Sequence, residues 1–451
     1  MKQSSQLKLK SKFTPAQAIV TYYFIAIAVS VILLSLPGVH KPGVEVEFID
    51  SLFTAVSAVS VTGLTTIDIS ETYSVFGYVM IIFILQLGGI GIMSLGTFIW
   101  LISGKKIGLR ERQLIMVDHN QSTMSGVVHL IREIIKILLL IQLIGAILLT
   151  LYFTQYYDSF KQAMMQGIFT SVSATTNAGF DITGHSLVPY HNDYFIQIIT
   201  SFLIVFGAIG FPVLIEVKTF LKNKNKNFRF SLFTKLTTIT YGILLLFGTV
   251  MIFLLEMFNS FKEMPWHEKF FAAFFHSVST RSAGLTTMDI TLFNEGTEFL
   301  MSVLMFIGAS PSSVGGGIRT TTFAVALLFL INFSRGKDSL QVFNREIHLI
   351  DVFRAFAVII LALIMVFAAT ILLSVTEPEI PVTMLIFEIT SAFGTCGMTL
   401  GVTTELSDIG KITMMVLMFI GRVGMLSFLF SLGGKSNKTK YHYPKERVII
   451  G

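Results

Sequence analysis

Residues 53–66 read FTAVSAVSVTGLTT, a half-apolar stretch too short to cross a bilayer and closed by a glycine set among small polar residues. The pattern returns at 169–182 (FTSVSATTNAGFDI), 274–287 (FFHSVSTRSAGLTT) and 387–400 (FEITSAFGTCGMTL). Aligned on Gly63, Gly179, Gly284 and Gly397, every copy has a phenylalanine ten residues earlier and an apolar residue one later, namely Leu64, Phe180, Leu285 and Met398. A second landmark follows: Gly88, Gly207, Gly308 and Gly421 stand 25, 28, 24 and 24 residues downstream. In three copies a further glycine lies three positions on (Gly91, Gly210, Gly424), whereas the third copy has Pro311 there. Such self-similarity is an internal repeat, with loop glycines 116, 105 and 113 residues apart.

The surroundings of these copies set the fold class. With 53% apolar and only 13% charged residues in 451, the chain lies outside the range of soluble domains. Eight apolar stretches, near 16–36, 75–103, 129–153, 194–221, 236–258, 296–332, 354–376 and 409–432, are long enough to cross a hydrocarbon layer of about 30 Å as helices. The first follows a basic start and lacks a small-residue cleavage pattern, which reads as a retained span. Each repeat is therefore helix, re-entrant half-helix, glycine-bearing loop, helix. The expected fold is an all-α integral membrane protein of four tandem units, 1–117, 118–231, 232–340 and 341–451, around one central pore and in contact with membrane lipid.

Charge supplies the topology. Lys2, Lys8, Lys10 and Lys12, then Lys105, Lys106, Arg110 and Arg112, then the basic runs after the fourth and sixth stretches and at the end of the chain, all fall on one face. The positive-inside rule places that face, with both termini, in the cytoplasm of a multi-pass cell-membrane protein. These residues are topological, and no nucleic-acid partner is expected. The alternate connections are acidic, with Glu45, Asp50, Asp68, Asp181, Asp193, Glu256, Glu377 and Glu405 among them, so the outer face is expected to gather cations. Topology alone would leave the same asymmetry. The apolar end at 447–451 is expected to dock at a dimer interface, a free tail being the alternative.

Irregular backbone survives at membrane depth only when buried in protein or lining water. Four such loops most simply line one shared path. A glycine opens backbone conformations closed to other residues, so that successive carbonyls can turn toward an axis and replace the hydration shell of K⁺. The half-helices would aim their negative C-terminal ends at the same place. The candidate filter residues are Val61, Thr62 and Gly63; Asn177, Ala178 and Gly179; Ser282, Ala283 and Gly284; and Thr395, Cys396 and Gly397, with K⁺ held by carbonyls of the four glycines.

The sixth stretch carries Gly308, Ala309, Ser310, Pro311, Ser312, Ser313, Val314, Gly315, Gly316 and Gly317. A helix must break there, and at mid-membrane the break should face the water path as a gate. A phosphate-cradling loop is the competing idea, but no strand precedes this run. Arg422, mid-span in the last stretch, is costly in lipid and therefore a functional candidate. Arg319 is expected to reach the cytoplasmic face by snorkelling. Arg281, three residues before Gly284, should point away from the path and pair with a carboxylate such as Glu388. The single cysteine, Cys396, excludes an internal disulfide and a Cys-based metal site; its role is small-residue packing behind the filter.

These motifs resemble the membrane subunits of the Ktr potassium uptake systems, in the wider family that also holds Trk and HKT transporters. The likeness covers nearly the full length. Glycine in all four loops is similar to the K⁺-preferring members and departs from HKT members with serine in the first. The resemblance implies a homodimer with one pore per protomer and a cytosolic octameric ring of RCK-type subunits. No cofactor is implied in this chain beyond the transported K⁺; a nucleotide of the ATP/ADP class would bind only that partner ring. It also implies that the 308–317 run obstructs the path beneath the filter, with Arg422 as an electrostatic barrier beside it. A multi-pass intramembrane enzyme is the rival class, but the polar residues recur with the repeat and do not converge as a catalytic constellation. A receptor or scaffold would not need four matching loops. Channel-like flux and flux coupled to Na⁺ or H⁺ both remain compatible with the sequence.

Overall fold

The computed structural model describes residues 15–91, 127–222, 228–337 and 339–432, with 444 and 446. The basic residues before residue 15 and at 105–112, and the apolar end at 447–451, lie outside the described residues. The four units are plain. The first has a long helix Pro15–Leu34, a short helix Phe48–Ser60 and a returning helix Val75–Ile90. The second has Val127–Phe153, Phe160–Thr175 and Tyr194–Ala208, continued by Phe211–Lys222. The third has Leu232–Glu256, Trp266–Ser279 and Glu295–Ile307, continued after a loop by Thr320–Ser334. A small antiparallel hairpin, Leu340–Val342 with Arg345–Ile347, leads to the fourth unit, Leu349–Thr376, Val382–Phe393 and Asp408–Val423, continued by Met425–Leu432.

Local chemistry explains where the returning helices start and stop. Each starts on a side-chain cap: Ser74 accepts from Gly77 N, Asp193 from Phe195 N and Ile196 N, Asn294 from Thr297 N, and Ser407 from Gly410 N. Such caps satisfy amides that would otherwise lack a partner. Their ends correct the sequence reading, in which only the sixth stretch was expected to break. All four returning helices stop at a glycine of positive φ, at Gly91 (φ 87°), Gly210 (φ 100°), Gly308 (φ 69°) and Gly424 (φ 90°), the third about one turn earlier in the repeat than the others. A residue with positive φ closes the helical ladder. In the second unit the chain bends by 104° there. Among the described residues, the four long helices are therefore the unbroken runs long and apolar enough to cross a membrane.

Packing is cyclic. Each returning helix lies against the short helix of the next unit, 75–90 on 160–175, 194–208 on 266–279, 295–307 on 382–393, and 408–423 back on 48–60. The last pairing is fastened by Lys411 Nζ to Asp50 Oδ1 at 2.7 Å, an ion pair between residues 361 positions apart. The burial pattern inverts that of a soluble protein. Phe353, Phe367 and Leu246 stand about two-thirds exposed (66%, 63% and 65%), while Thr62, Ser173, Ser282 and Thr395 are fully buried. An apolar exterior around a polar centre suits a protein whose outer solvent is lipid.

Candidate functional site

The four short helices end three to five residues before Gly63, Gly179, Gly284 and Gly397, and the loops that follow share one backbone design. In each triad the first residue has positive φ (Val61 56°, Asn177 50°, Ser282 79°, Thr395 46°), and so has the third (Gly63 98°, Gly179 69°, Gly284 70°, Gly397 94°). The middle residue does not. Left-handed backbone is costly for a β-branched residue such as Val61 or Thr395, yet it recurs in every unit. Alternating handedness along three residues turns successive carbonyls to one side.

The amides face the other way. Thr62, Ala178, Ala283 and Cys396 donate their N–H to the carbonyls of Ser57, Ser173, Ser279 and Ser391, at 2.8–2.9 Å. The same four serines hold the glycine region with their hydroxyls. Ser57 Oγ accepts from Gly63 N at 3.0 Å and Ser391 Oγ from Gly397 N at 3.1 Å. Ser173 donates to Phe180 O and Ser279 to Leu285 O. These serines escaped the sequence reading, although a serine five or six residues before each glycine was there to be seen.

The loops close on one another in chain order. A Cβ added to Gly63 would meet Ala178 O and Gly179 Cα; one on Gly179 would meet Ala283 O at 2.9 Å; one on Gly284, Cys396 O; and one on Gly397, Thr62 O. The four triads thus form a ring in which each glycine abuts the middle carbonyl of the next unit. The ring is a set of oxygens without fixed charge; among the described residues no cluster of His, Cys, Asp or Glu is placed to hold a metal ion. Cys396 is buried, with its thiol on Ser279 O at 3.4 Å.

Residues 308–317 lie against the ring and touch all four units. Gly308 ends its helix, and Gly316 O accepts from Ala309 N at 3.2 Å within the loop. Toward the second unit, Ser310 N donates to Ala208 O (3.0 Å), Val314 N to Gly207 O (3.2 Å), and Phe211 N to Ser312 O (2.9 Å). A Cβ on Gly210 would meet Pro311 O at 2.8 Å. Ser313 Oγ donates to Ser310 O, and Thr320 Oγ1 to Ser310 Oγ. Toward the third triad, Gly316 N donates to Ser282 Oγ at 3.2 Å, and a Cβ on Gly315 would meet the same hydroxyl. A Cβ on Gly317 would lie 3.0 Å from Phe306 O and Ile307 O, a tight fit at a φ of 84°. No strand precedes the run; it follows the helix Glu295–Ile307, which removes the phosphate-loop reading.

Arg422 fastens the loop. Its guanidinium donates to Val314 O in the loop and to Gly88 O at the end of the first returning helix, so one side chain of the fourth unit joins the first and third. It is 7% exposed, and among the described residues no ion pair includes it. Arg319 corrects the expectation of snorkelling: its guanidinium turns back to Gly315 O, because its backbone, at φ 82°, sits at the turn into the helix Thr320–Ser334.

Arg281 is a second correction. It is fully buried behind the third loop and points away from the ring, but Glu388 is not its partner. It lies over the ring of Tyr241, 5.0 Å from the centroid, and donates to Tyr241 O at 3.4 Å. A buried guanidinium on an aromatic face gains about 2 kcal/mol. Glu388 instead binds the loop after its own triad, accepting from Thr399 Oγ1 (2.6 Å), Leu400 N (2.9 Å) and Thr403 Oγ1 (2.7 Å). Many acids of the outer connections are likewise occupied: Asp68, Asp193 and Asp289 cap helices, Asp50 holds Lys411, and Glu256 and Glu377 accept from the starts of the returning helices. Local folding therefore explains much of the acidic bias that topology and cation gathering were expected to explain.

Comparison with known proteins agrees with this architecture. Residues 3–437 match the family model described as TrkH, cation transport protein. The chain is 55% identical over 444 residues to the Ktr system potassium uptake protein D of Bacillus subtilis (strain 168), covering 98% of this chain and 99% of that one. It is 37% identical to the Ktr system potassium uptake protein B of the same organism, over 98% of this chain and 97% of that one. The crystal structure of the potassium transporter TrkH from Vibrio parahaemolyticus superposes with a TM-score of 0.73 at 18% identity, over 94% of this chain and 85% of that one, and so shares the fold.

Proposed function

The chain belongs to the TrkH family of cation transport proteins, and from that premise we propose that it is a potassium uptake subunit whose four triads form one K⁺-selective filter within a single polypeptide. The observation that carries this reading is the ring itself. Four loops with the same strained backbone, closed in chain order, offer carbonyl oxygens and no fixed negative charge. Oxygens of that kind substitute for the hydration shell of a monovalent cation. The short helices around them end at the ring and add the negative ends of their dipoles. Relatives at 55% and 37% identity over nearly the whole chain carry potassium uptake names, which supports K⁺ as the cargo.

The 308–317 loop lies directly beside the ring and would obstruct an ion leaving it, which suits a gate. Arg422 holds it and adds a positive charge at the same level, a further barrier to a cation. The glycine-rich backbone gives the loop more than one accessible arrangement, so a partner acting through the helix Thr320–Ser334 could shift the population toward an open state. In this reading the chain works as a homodimer on a cytosolic RCK-type ring that carries the nucleotide, with its termini in the cytoplasm. Purified protein in liposomes tests the whole proposal. K⁺ should equilibrate faster than Na⁺, and measuring flux with Na⁺ and pH varied independently decides between channel-like and coupled transport. Equal K⁺ and Na⁺ rates would remove the filter assignment.

A further inference from the structure

Ser282 is the first residue of the third triad, and its hydroxyl is the meeting point of two parts of the molecule. It lies 2.7 Å from Thr395 O, the first carbonyl of the fourth triad, and 3.2 Å from each of Gly394 O and Thr395 Oγ1. It accepts from the backbone N–H of Gly316 in the 308–317 loop at 3.2 Å. A hydroxyl has one proton to give, and the shortest of these contacts assigns it to Thr395 O. The second triad has a parallel arrangement. Oriented to satisfy its neighbours, the Asn177 amide donates to Ala174 O (2.8 Å) and Ile204 O (3.1 Å) and accepts from Ala208 N (3.3 Å); Ala208 O in turn accepts from Ser310 N.

We infer that Ser282 couples the loop to the ion site: it is a positioning residue that makes K⁺ binding in the ring depend on whether the 308–317 loop is in place. The inference rests on reading the triads as a filter and the loop as a gate. With the loop in place, Gly316 N–H polarises the Ser282 hydroxyl and strengthens its bond to Thr395 O, since bonds in a chain reinforce one another. That carbonyl is then partly committed to a proton and offers less to a cation. When the loop leaves, the Ser282 hydroxyl loses its donor, its hold on Thr395 O weakens, and the oxygen is freer to face the path. K⁺ therefore binds more tightly with the loop withdrawn, and by linkage K⁺ favours withdrawal to the same degree. Charge repulsion from Arg422 would give the same sign, so the experiment must separate the two.

A double-mutant cycle on the full chain in liposomes does so, reading both maximal K⁺ flux and half-saturating K⁺. Arg422→Ala loosens the loop and removes the charge in every background, whereas only a protein with Ser282 can relay the loosening to Thr395. In the parent, Arg422→Ala should raise maximal flux and lower half-saturating K⁺. In the Ser282→Ala background the fall in half-saturating K⁺ should be smaller by up to about threefold, the worth of one modest hydrogen bond lost outright. Ser282→Cys, which keeps the shape with a weak donor, should fall between them and serves if Ser282→Ala does not fold. Equal shifts of half-saturating K⁺ in all backgrounds, with maximal flux still raised, would overturn the coupling while leaving the gate intact. Unraised maximal flux in the parent would remove the gate reading, and the coupling with it.

Discussion

Replacing Gly63 by serine separates the two demands placed on the ring glycines. Gly63 has φ 98°, and a Cβ there would run into Ala178 O and lie 2.9 Å from Gly179 Cα, both backbone atoms of the next unit. Backbone strain at such a φ costs about 1–3 kcal/mol for a residue with a side chain. Crowding against backbone that cannot swing aside costs about another 1–3 kcal/mol. Gly401 supplies the control: its φ is 89°, but an added Cβ meets nothing within 4 Å. Gly401→Ser should therefore carry the strain without displacing the ring. If about 1 kcal/mol of the crowding at Gly63 is felt differently by K⁺ and Na⁺, the K⁺/Na⁺ flux ratio of Gly63→Ser falls about fivefold, while that of Gly401→Ser stays at the parental value. The assay is paired K⁺ and Na⁺ flux in liposomes, with thermal unfolding to confirm that both variants are folded. A Gly63→Ser protein with the parental ratio, or a Gly401→Ser protein with an equal fall, would refute the reasoning.

Arg422→Ala and, separately, deletion of residues 312–316 should raise K⁺ flux in the absence of any partner ring and leave K⁺ preference intact; a folded deletion protein no faster than the parent would show that the loop is a packing feature. Tyr241→Leu strips the aromatic face from a buried guanidinium and should destabilise the protein by about 2 kcal/mol, read as a lowered unfolding temperature in detergent, whereas Tyr241→Phe should match the parent; equal losses would remove the assigned Arg281–Tyr241 contact. Lys411→Met breaks the pair that fastens the fourth unit to the first and should cost about 1.5–3 kcal/mol, typical of a charged hydrogen bond, and most of that cost should vanish when Asp50→Asn is already present.

The repeat was legible because loop function and helix packing both require glycine at fixed places, and glycine is the residue whose position a sequence displays most clearly. The four loops and the clustered break at 308–317 followed from that. The other three breaks did not, although Gly91, Gly210 and Gly424 recur with the repeat. Each is a helix C-terminal residue with positive φ, and an apolar run continuing past the glycine hid the stop. Side-chain partners were least legible. Arg281 finds Tyr241, forty residues earlier, and Glu388 turns to Thr399 and Thr403; both choices depend on how helices approach, which no local pattern encodes. The serines at 57, 173, 279 and 391 were legible in principle, since they recur with the repeat and the chemistry of a helix end calls for them.

The claim that four triads of one chain hold the ion is tested most directly by locating the ion. Crystals grown in K⁺ and exchanged into Rb⁺ or Tl⁺ give anomalous peaks wherever a K⁺-like cation resides. Peaks are expected on the axis enclosed by Gly63, Gly179, Gly284 and Gly397 within each protomer, absent after exchange into Na⁺. Peaks confined to an interface between chains, or density in the ring that is equally strong in Na⁺, would contradict it.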